Sequence, residues 1–308
     1  MPITKHEDSD VLRIASPVQR AVEDLGLLED LPGMWMGNGF NMIARPAGEG
    51  KPKQPTFFLE LNATQETLEF VAIGGAIPNR GSTEPTALLH GLRYLQTVAD
   101  CQSHEFIHKE PGLWLHVPPT GESAEDTYVR QAVIPHGDSL LAQSIFTGTF
   151  PTGPDIKPVT SFPFPLSEPI PPLNDLTHAV DETLGYIDPY LHNTLPTTCL
   201  PPNLNAGAVI KDPTEVLRAQ IENQSFEETK VIDISTRASG GIVNIPFVVK
   251  NANAVQMDAI FWIERVKRPG FDTRDTPFLQ LQYVQRVILD FAGLHWPHIS
   301  VATLVKAG

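Results

Sequence analysis

The chain of 308 residues is 41% hydrophobic and 19% charged, a globular composition long enough for one large domain or two ordinary ones. Its formal net charge of −14 repels phosphate backbones, and no stripe of Lys or Arg interrupts that field, so nucleic acid is not an expected partner. The two cysteines, Cys101 and Cys199, make no disulfide framework and no CxxC metal site, the opening "MPITKHEDSD" has no apolar leader, and no run approaches the roughly 18 apolar residues of a membrane span. These features predict a cytoplasmic protein without a membrane span.

In chain order, "SPVQRAVEDLGLLEDL" predicts a short amphipathic helix. Ser16 caps it, Pro17 suits its first turn, and Val18, Val22 and Leu25 recur at helical spacing. At "LPGMWMGNGF" (31–40) the period changes to two, which puts Gly33, Trp35, Gly37 and Gly39 on one strand face. A wide indole between bare positions builds a floor with space above it, or else plugs the end of a barrel. Strand-length runs follow: "TFFLELNA" (56–63), "TLEFVAI" (67–73), "GLRYLQTVAD" (91–100), "GLWLHV" (112–117), "TYVRQAVI" (127–134) and "SLLAQSIFTG" (139–148). Between them, "NATQET" and "PHGD" read as hairpin loops.

Residues 151–213 are dense in proline, as in "SFPFPLSEPIPP". Proline donates no backbone hydrogen bond, so this stretch is a long connection or an excursion over the outside, not a central strand. "KDPTEVLRAQIENQ" then predicts a helix with Asp212 as cap and Pro213 at its first position. The last third returns to strands: "ETKVIDIST", "GIVNIPFVVK", "AVQMDAIFWIERV", "PFLQLQYVQRVILDF" and "PHISVATLVK". In 277–291, Leu279, Leu281, Tyr283 and Val287 share one face, while Gln280, Gln282, Arg286 and Asp290 share the other.

Many strands, few helices and no βαβ rhythm predict an all-β fold. The expectation is a single domain over 1–308, a closed antiparallel β-barrel of about ten to twelve strands whose first and last strands pair.

The opening "GMWMGNG" resembles the G-x-W-x-G-x-G first strand of nitrobindin-like heme-binding β-barrels, related to the lipocalin barrels. The ending "HWPHISVATLVK" resembles the family's last strand, where a histidine ligates iron, and His298 is the matching position. The runs "FLELNATQETLEF", "IPNRG", "IPHG" and "FLQLQYVQ" are similar to the longer bacterial and fungal members, described as peroxidase-like, some of which cleave aromatic alkenes with oxygen. The proline-rich section has no counterpart in the short members. The resemblance implies a heme cofactor, His298 as its metal ligand, and Trp35, Gly37 and Gly39 as part of the cofactor's surroundings.

The residues themselves leave several readings open. His298, Ser300, Ala302 and Leu304 share one strand face, so an inward His298 stands among small side chains. It serves there as an axial ligand or as a hydrogen-bonded core histidine. His295 reads as a surface residue, and H-x-x-H on a strand does not put both imidazoles on one face. His136, in a turn at a barrel mouth, is the candidate catalytic acid/base group. His104, His108 and His116 offer a rival non-heme metal site, although "EPG" makes His108 look like a solvated loop residue. Arg93 and Arg130, if inward, would meet heme propionates or a ligand carboxylate. Fingerprints for NAD or FAD, a P-loop and a G-x-S-x-G elbow are absent. The expected function is heme-dependent oxidation, peroxidase- or oxygenase-type, of a small apolar or aromatic molecule. The alternatives are a non-catalytic carrier of a lipophilic ligand and a non-heme metal oxygenase.

Overall fold

A computed structural model describes residues 24–47, 57–79, 87–119, 125–175, 188–196, 198–237, 240–267 and 277–307. The first seven strands are β1 (Gly33–Pro46), β2 (Phe57–Ala72), β3 (Ile77–Pro78), β4 (Leu88–Asp100), β5 (Phe106–Val117), β6 (Thr127–Ile134) and β7 (Asp138–Phe150). After them come β8 (Phe164–Pro165), α1 (Asp188–Leu191), α2 (Ala206–Lys211), α3 (Glu215–Ile221), β9 (Phe226–Ser235) and β10 (Gly241–Asn244). The chain ends with α4 (Pro246–Asn251), β11 (Asn253–Val266), β12 (Phe278–Phe291) and β13 (Leu294–Lys306).

Ten strands run in the order β1-β2-β4-β5-β6-β7-β9-β11-β12-β13, and β1 pairs with β13 to close the ring. Every pairing is antiparallel, and the closing register carries Trp35 opposite Lys306 and Asn41 opposite Ser300. The closed antiparallel barrel expected from the alternation is therefore the observed fold. Short strands β3, β8 and β10 pair with β4, β13 and β7 in addition to these ladders, and β10 continues the line of β9 along β7.

Two expected loops are strand. "NATQET" lies inside β2, which runs unbroken and pairs residue for residue with β1; its polar residues alternate between the lumen and solvent and make no turn. "EPG" lies inside β5, where Pro111 is tolerated because the ladder to β6 begins only at Gly112. The predicted first helix falls mostly outside the described residues. Its described end is a single 3-10 turn, Gly26–Leu28, with Leu25, Leu28 and Leu31 buried against the barrel. Asp212 ends α2 and bonds the Thr214 amide at 3.1 Å, so it joins two helices where one was expected.

The proline-rich segment packs over the outside of the barrel. Ile156, Val159 and Phe162 bury against the outward side chains of β1 and β11–β13, among them Phe40, Trp262 and Val301. The Gln280, Gln282 and Arg286 face of β12 is thus interior as well: all three are buried beneath this cover, and Arg286 donates to Pro171 O at 2.7 Å and to Asp258 at 2.8 Å. Cys101, beyond β4, is disulfide-bonded to Cys199 in the cover, which corrects the reading of two unlinked thiols. The sequence hides this pairing because 98 positions separate the partners and only closure of the barrel brings them together. Among the described residues, no helix is long and apolar enough to cross a membrane.

Glu264 lies in the same outer layer. Its Oε2 accepts from Gln280 at 2.6 Å, Oε1 has no partner, and burial pushes the carboxyl up to about 8. Between the ordinary carboxylate range and about pH 8 the unfolded chain has lost this proton and the folded protein keeps it, so stability falls as pH rises through that window. At about 1.4 kcal/mol per pKa unit, and with relaxation around the ionised group, the expected loss is ~2 kcal/mol. Urea midpoints from pH 5 to pH 9 should decline in the wild type and stay flatter in Glu264→Gln. Parallel declines in the two proteins would assign the effect elsewhere.

Candidate functional site

Period-two alternation sorts the lumen into layers from one end of the barrel to the other. At the closed end, Trp35 is fully buried, donates its Nε1 hydrogen to Leu31 O at 2.8 Å, and lies beneath Lys306, whose Nζ is 5.6 Å from the ring centroid. Above it is an apolar layer containing Phe70, Trp114 and Phe261, which line a small cavity. A belt of buried polar groups follows, and at the opposite end stand Asn41, Ser300, His298, His108 and His136.

The glycine faces are filled by the protein itself. A Cβ on Gly37 would come within 2.1 Å of Thr303 O, so Gly37 serves the close approach of β1 and β13. A Cβ on Gly39 would come within 2.3 Å of Val301 O and 2.8 Å of Thr64 Oγ1 and Glu66 Oε1, so the bare position serves the same close approach of β13 and makes room for a buried carboxylate. The space expected above Trp35 is therefore occupied, and Trp35 takes the role of a plug. Strand rise puts it about 26 Å along β13 from His298, too far to border the same ligand.

The belt has two halves. In one, the Glu66 carboxylate accepts from Tyr283 at 2.6 Å, Gln96 at 3.1 Å and Thr64 at 2.9 Å, and burial raises its pKa against those hydrogen bonds. In the other, Arg130 donates to Glu110 Oε1 at 2.5 Å, Tyr94 at 3.0 Å and Gln285 at 2.6 Å. Burial pushes the Glu110 carboxyl up, but the Arg130 charge, with His108 and Tyr94 as donors, outweighs it and brings the value down to about 2. Arg130 is inward as supposed, but its guanidinium is occupied by protein partners and offers no free fork to a propionate or fatty carboxylate. Arg93 is exposed on the outer face of β4, opposite the inward Leu92 and Tyr94, and cannot reach the lumen. Neither arginine is an anchor for a ligand in the barrel.

His298 faces the lumen on β13. Its Nε2 hydrogen goes to Asn41 Oδ1 at 2.7 Å, and that oxygen also accepts from Ser300 Oγ at 2.9 Å. Asn41 Nδ2 points to Asn62 Oδ1 at 3.5 Å, which sets the amide's orientation and leaves the lone pair of His298 on Nδ1. Burial, then the nearby His108 and His136, lower the His298 pKa to about 3, so the ring is neutral at working pH. His295 points the other way: it is buried on the outer face, with Nδ1 2.6 Å from Asp290. This corrects its placement at the surface.

The chain matches no protein-family model. No curated protein matches it either. Among solved structures it is similar to Rv2717c from M. tuberculosis, at 12% identity and a TM-score of 0.41 over 96% of this chain and 99% of that one.

The three histidines of "HEFIHKEPGLWLH" do not converge. His104 sits in the exposed β4–β5 turn with φ 59°, and His116 is near the closed end, bonded to Asp24 O at 2.7 Å and Asp126 at 2.8 Å. His108 is the one beside the polar belt. Its Nε2 is 3.2 Å from Glu110 Oε2, and its Nδ1 is 3.2 Å from His136 Nε2. His136 itself is exposed at the rim in the β6–β7 turn, where Gly137 has φ 112° and accepts from Ile245 N at 2.9 Å. Among the described residues, no group of three or more His, Cys, Asp or Glu is placed to hold a metal ion.

Sequence reasoning missed Asn41, Glu66, Tyr94, Gln96 and Glu110. The signal for Asn41 was available, since it is the next inward step after Trp35, Gly37 and Gly39. The signal for Glu110 was masked by the proline and glycine that follow it.

Proposed function

We propose that this chain is a heme-binding β-barrel that oxidises a small apolar or aromatic molecule at the barrel end opposite Trp35, with His298 as the iron ligand. The observation that carries the reading is the state of His298: neutral, facing the lumen, with one ring nitrogen held by Asn41 and the other bearing the lone pair. A metal-binding imidazole is arranged in this way, its second nitrogen donating to an oriented oxygen. Heme needs one such donor from the protein, whereas a directly held metal needs several, and the described residues offer no such cluster. The donor set therefore fits heme better than a bare metal. The resemblance of both chain ends to nitrobindin-like barrels points the same way.

When bound, heme would supply the redox chemistry, activating peroxide or oxygen. The chain's own residues position and seal. Asn41 and Ser300 fix the His298 ring, the Glu66 and Arg130 networks close the lumen beneath it, and His136 handles protons at the rim. Exposed Ile245, Phe247 and Val249, with Ile245 against Gly137, give the mouth an apolar border suited to an apolar substrate. The rival carrier role loses its anchor, because Arg93 points outward and Arg130 is paired. Cytoplasmic residence belongs to the same proposal and carries a constraint: a Cys101–Cys199 bond persists there only if shielded from cellular thiols.

The test is the absorption spectrum of protein expressed with a heme precursor. Wild type should show a strong Soret band, and His298→Ala should lose most of it while His136→Ala keeps it. Absence of the band in heme-replete wild type would sink the reading.

A further inference from the structure

Glu110, His108 and His136 form one hydrogen-bonded line from the buried belt to the rim. Glu110 accepts only, so its Oε2 takes the Nε2 hydrogen of His108 at 3.2 Å. The lone pair of His108 then lies on Nδ1, facing His136 Nε2 at 3.2 Å, so that nitrogen carries the hydrogen. His136 is left with its lone pair on Nδ1, at the exposed end of the line. Glu110 is 1% exposed and His108 19%, whereas His136 meets solvent.

We propose that His136, His108 and Glu110 are a two-histidine proton relay, with His136 Nδ1 as the general base and acid for a protic substrate at the barrel mouth. This deepens the oxidative reading above, and the reactant class it fits carries an acidic O–H that must give up its proton: a hydroperoxide, which is reduced as the oxidant, or a phenol, which is oxidised. The step balances within the chain. The substrate O–H proton moves to His136 Nδ1, the His136 Nε2 hydrogen passes to His108 Nδ1, and the positive charge comes to rest on His108 beside the Glu110 carboxylate. His136 is neutral again, now with Nδ1–H facing the mouth, so the same atom returns the proton as an acid. Glu110 and His108 act through His136 and are positioning residues.

The other charged or titratable groups around the line are Arg130 on β6, which holds Glu110; Tyr94 on β4, which donates to Glu110; Glu66 on β2, near His108; Arg45 on β1, near His136; and the neutral His298 on β13. Arg130 keeps the carboxylate ionised, so the charge stored on His108 has a fixed partner.

The experiment is an imidazole nitrogen NMR titration of the full chain as isolated. In wild type, His136 should switch from Nε2–H to Nδ1–H when the line takes up one proton, with the transferred hydrogen appearing on His108 Nδ1. Glu110→Gln should abolish that switch, because the charge on His108 loses its partner. Because that variant leaves Arg130 unpaired and stands to unfold, His108→Asn is the second arm. It keeps Glu110 on Arg130, and His136 should then titrate in one step without changing tautomer. Protonation of His136 in wild type without a tautomer switch, or a His136 tautomer switch that survives His108→Asn, would overturn the relay. These readouts do not depend on heme, so a missing Soret band and a failed relay are distinguishable.

Discussion

Glu110→Ala should destabilise the protein by about 3–5 kcal/mol, one of the largest single-site effects the structure predicts. The side chains of Arg130 and Glu110 are 3% and 1% exposed, and truncation leaves a guanidinium in the lumen with its countercharge gone. Desolvation already costs such a pair most of its Coulombic gain, so removing both partners should be far milder than removing one. Glu110→Leu with Arg130→Met is therefore expected to recover most of the stability lost by either single variant. Urea unfolding of the four proteins decides this, and additive losses would show that the two charges are not a unit. The pair also sets an acid limit. With its folded pKa depressed to about 2, Glu110 contributes stability that is fully present above the ordinary carboxylate range and lost as pH falls through about 2.

Opening the Cys101–Cys199 bond is expected to cost about 4–5 kcal/mol, because the bond closes a loop of 98 positions and restricts the unfolded chain accordingly. For a chain of this size that corresponds to a fall in Tm of roughly 10 °C. Cys101→Ser with Cys199→Ser should melt at the same temperature as the reduced wild type. If the cysteines of the native protein resist alkylation until reductant is added, and reduction then leaves the Tm unchanged, the bond makes no contribution.

Local patterning made the barrel legible. Alternation exposed the inward faces of β1, β12 and β13, and the pairing of first and last strands followed from the need to hide two edges. What stayed hidden depends on contacts between distant segments. The outward Gln280, Gln282 and Arg286 look solvent-facing until the proline-rich cover lies over them, and no local rule says where that cover docks. Glycine was misread for a related reason. A bare position shows that something approaches, and at Gly39 the neighbour is Glu66, 27 positions away in the sequence. Proline and glycine in "EPG" suggested a turn, but the flanking ladders carry the strand straight through. His136 was placed at the rim by its turn residues alone, whereas its link to His108 required the correct course of β5.

The cover has a mechanical consequence. It doubles the wall of β11–β13, whose outward faces bury Trp262, Val284 and Ile299, whereas β6 and β7 show Val133, Leu141 and Phe146 directly to water. A ring splinted along one arc yields along the other. Thermal breathing should concentrate where the wall is single, along the outer face of β6 and the Ile145–Phe146 stretch of β7.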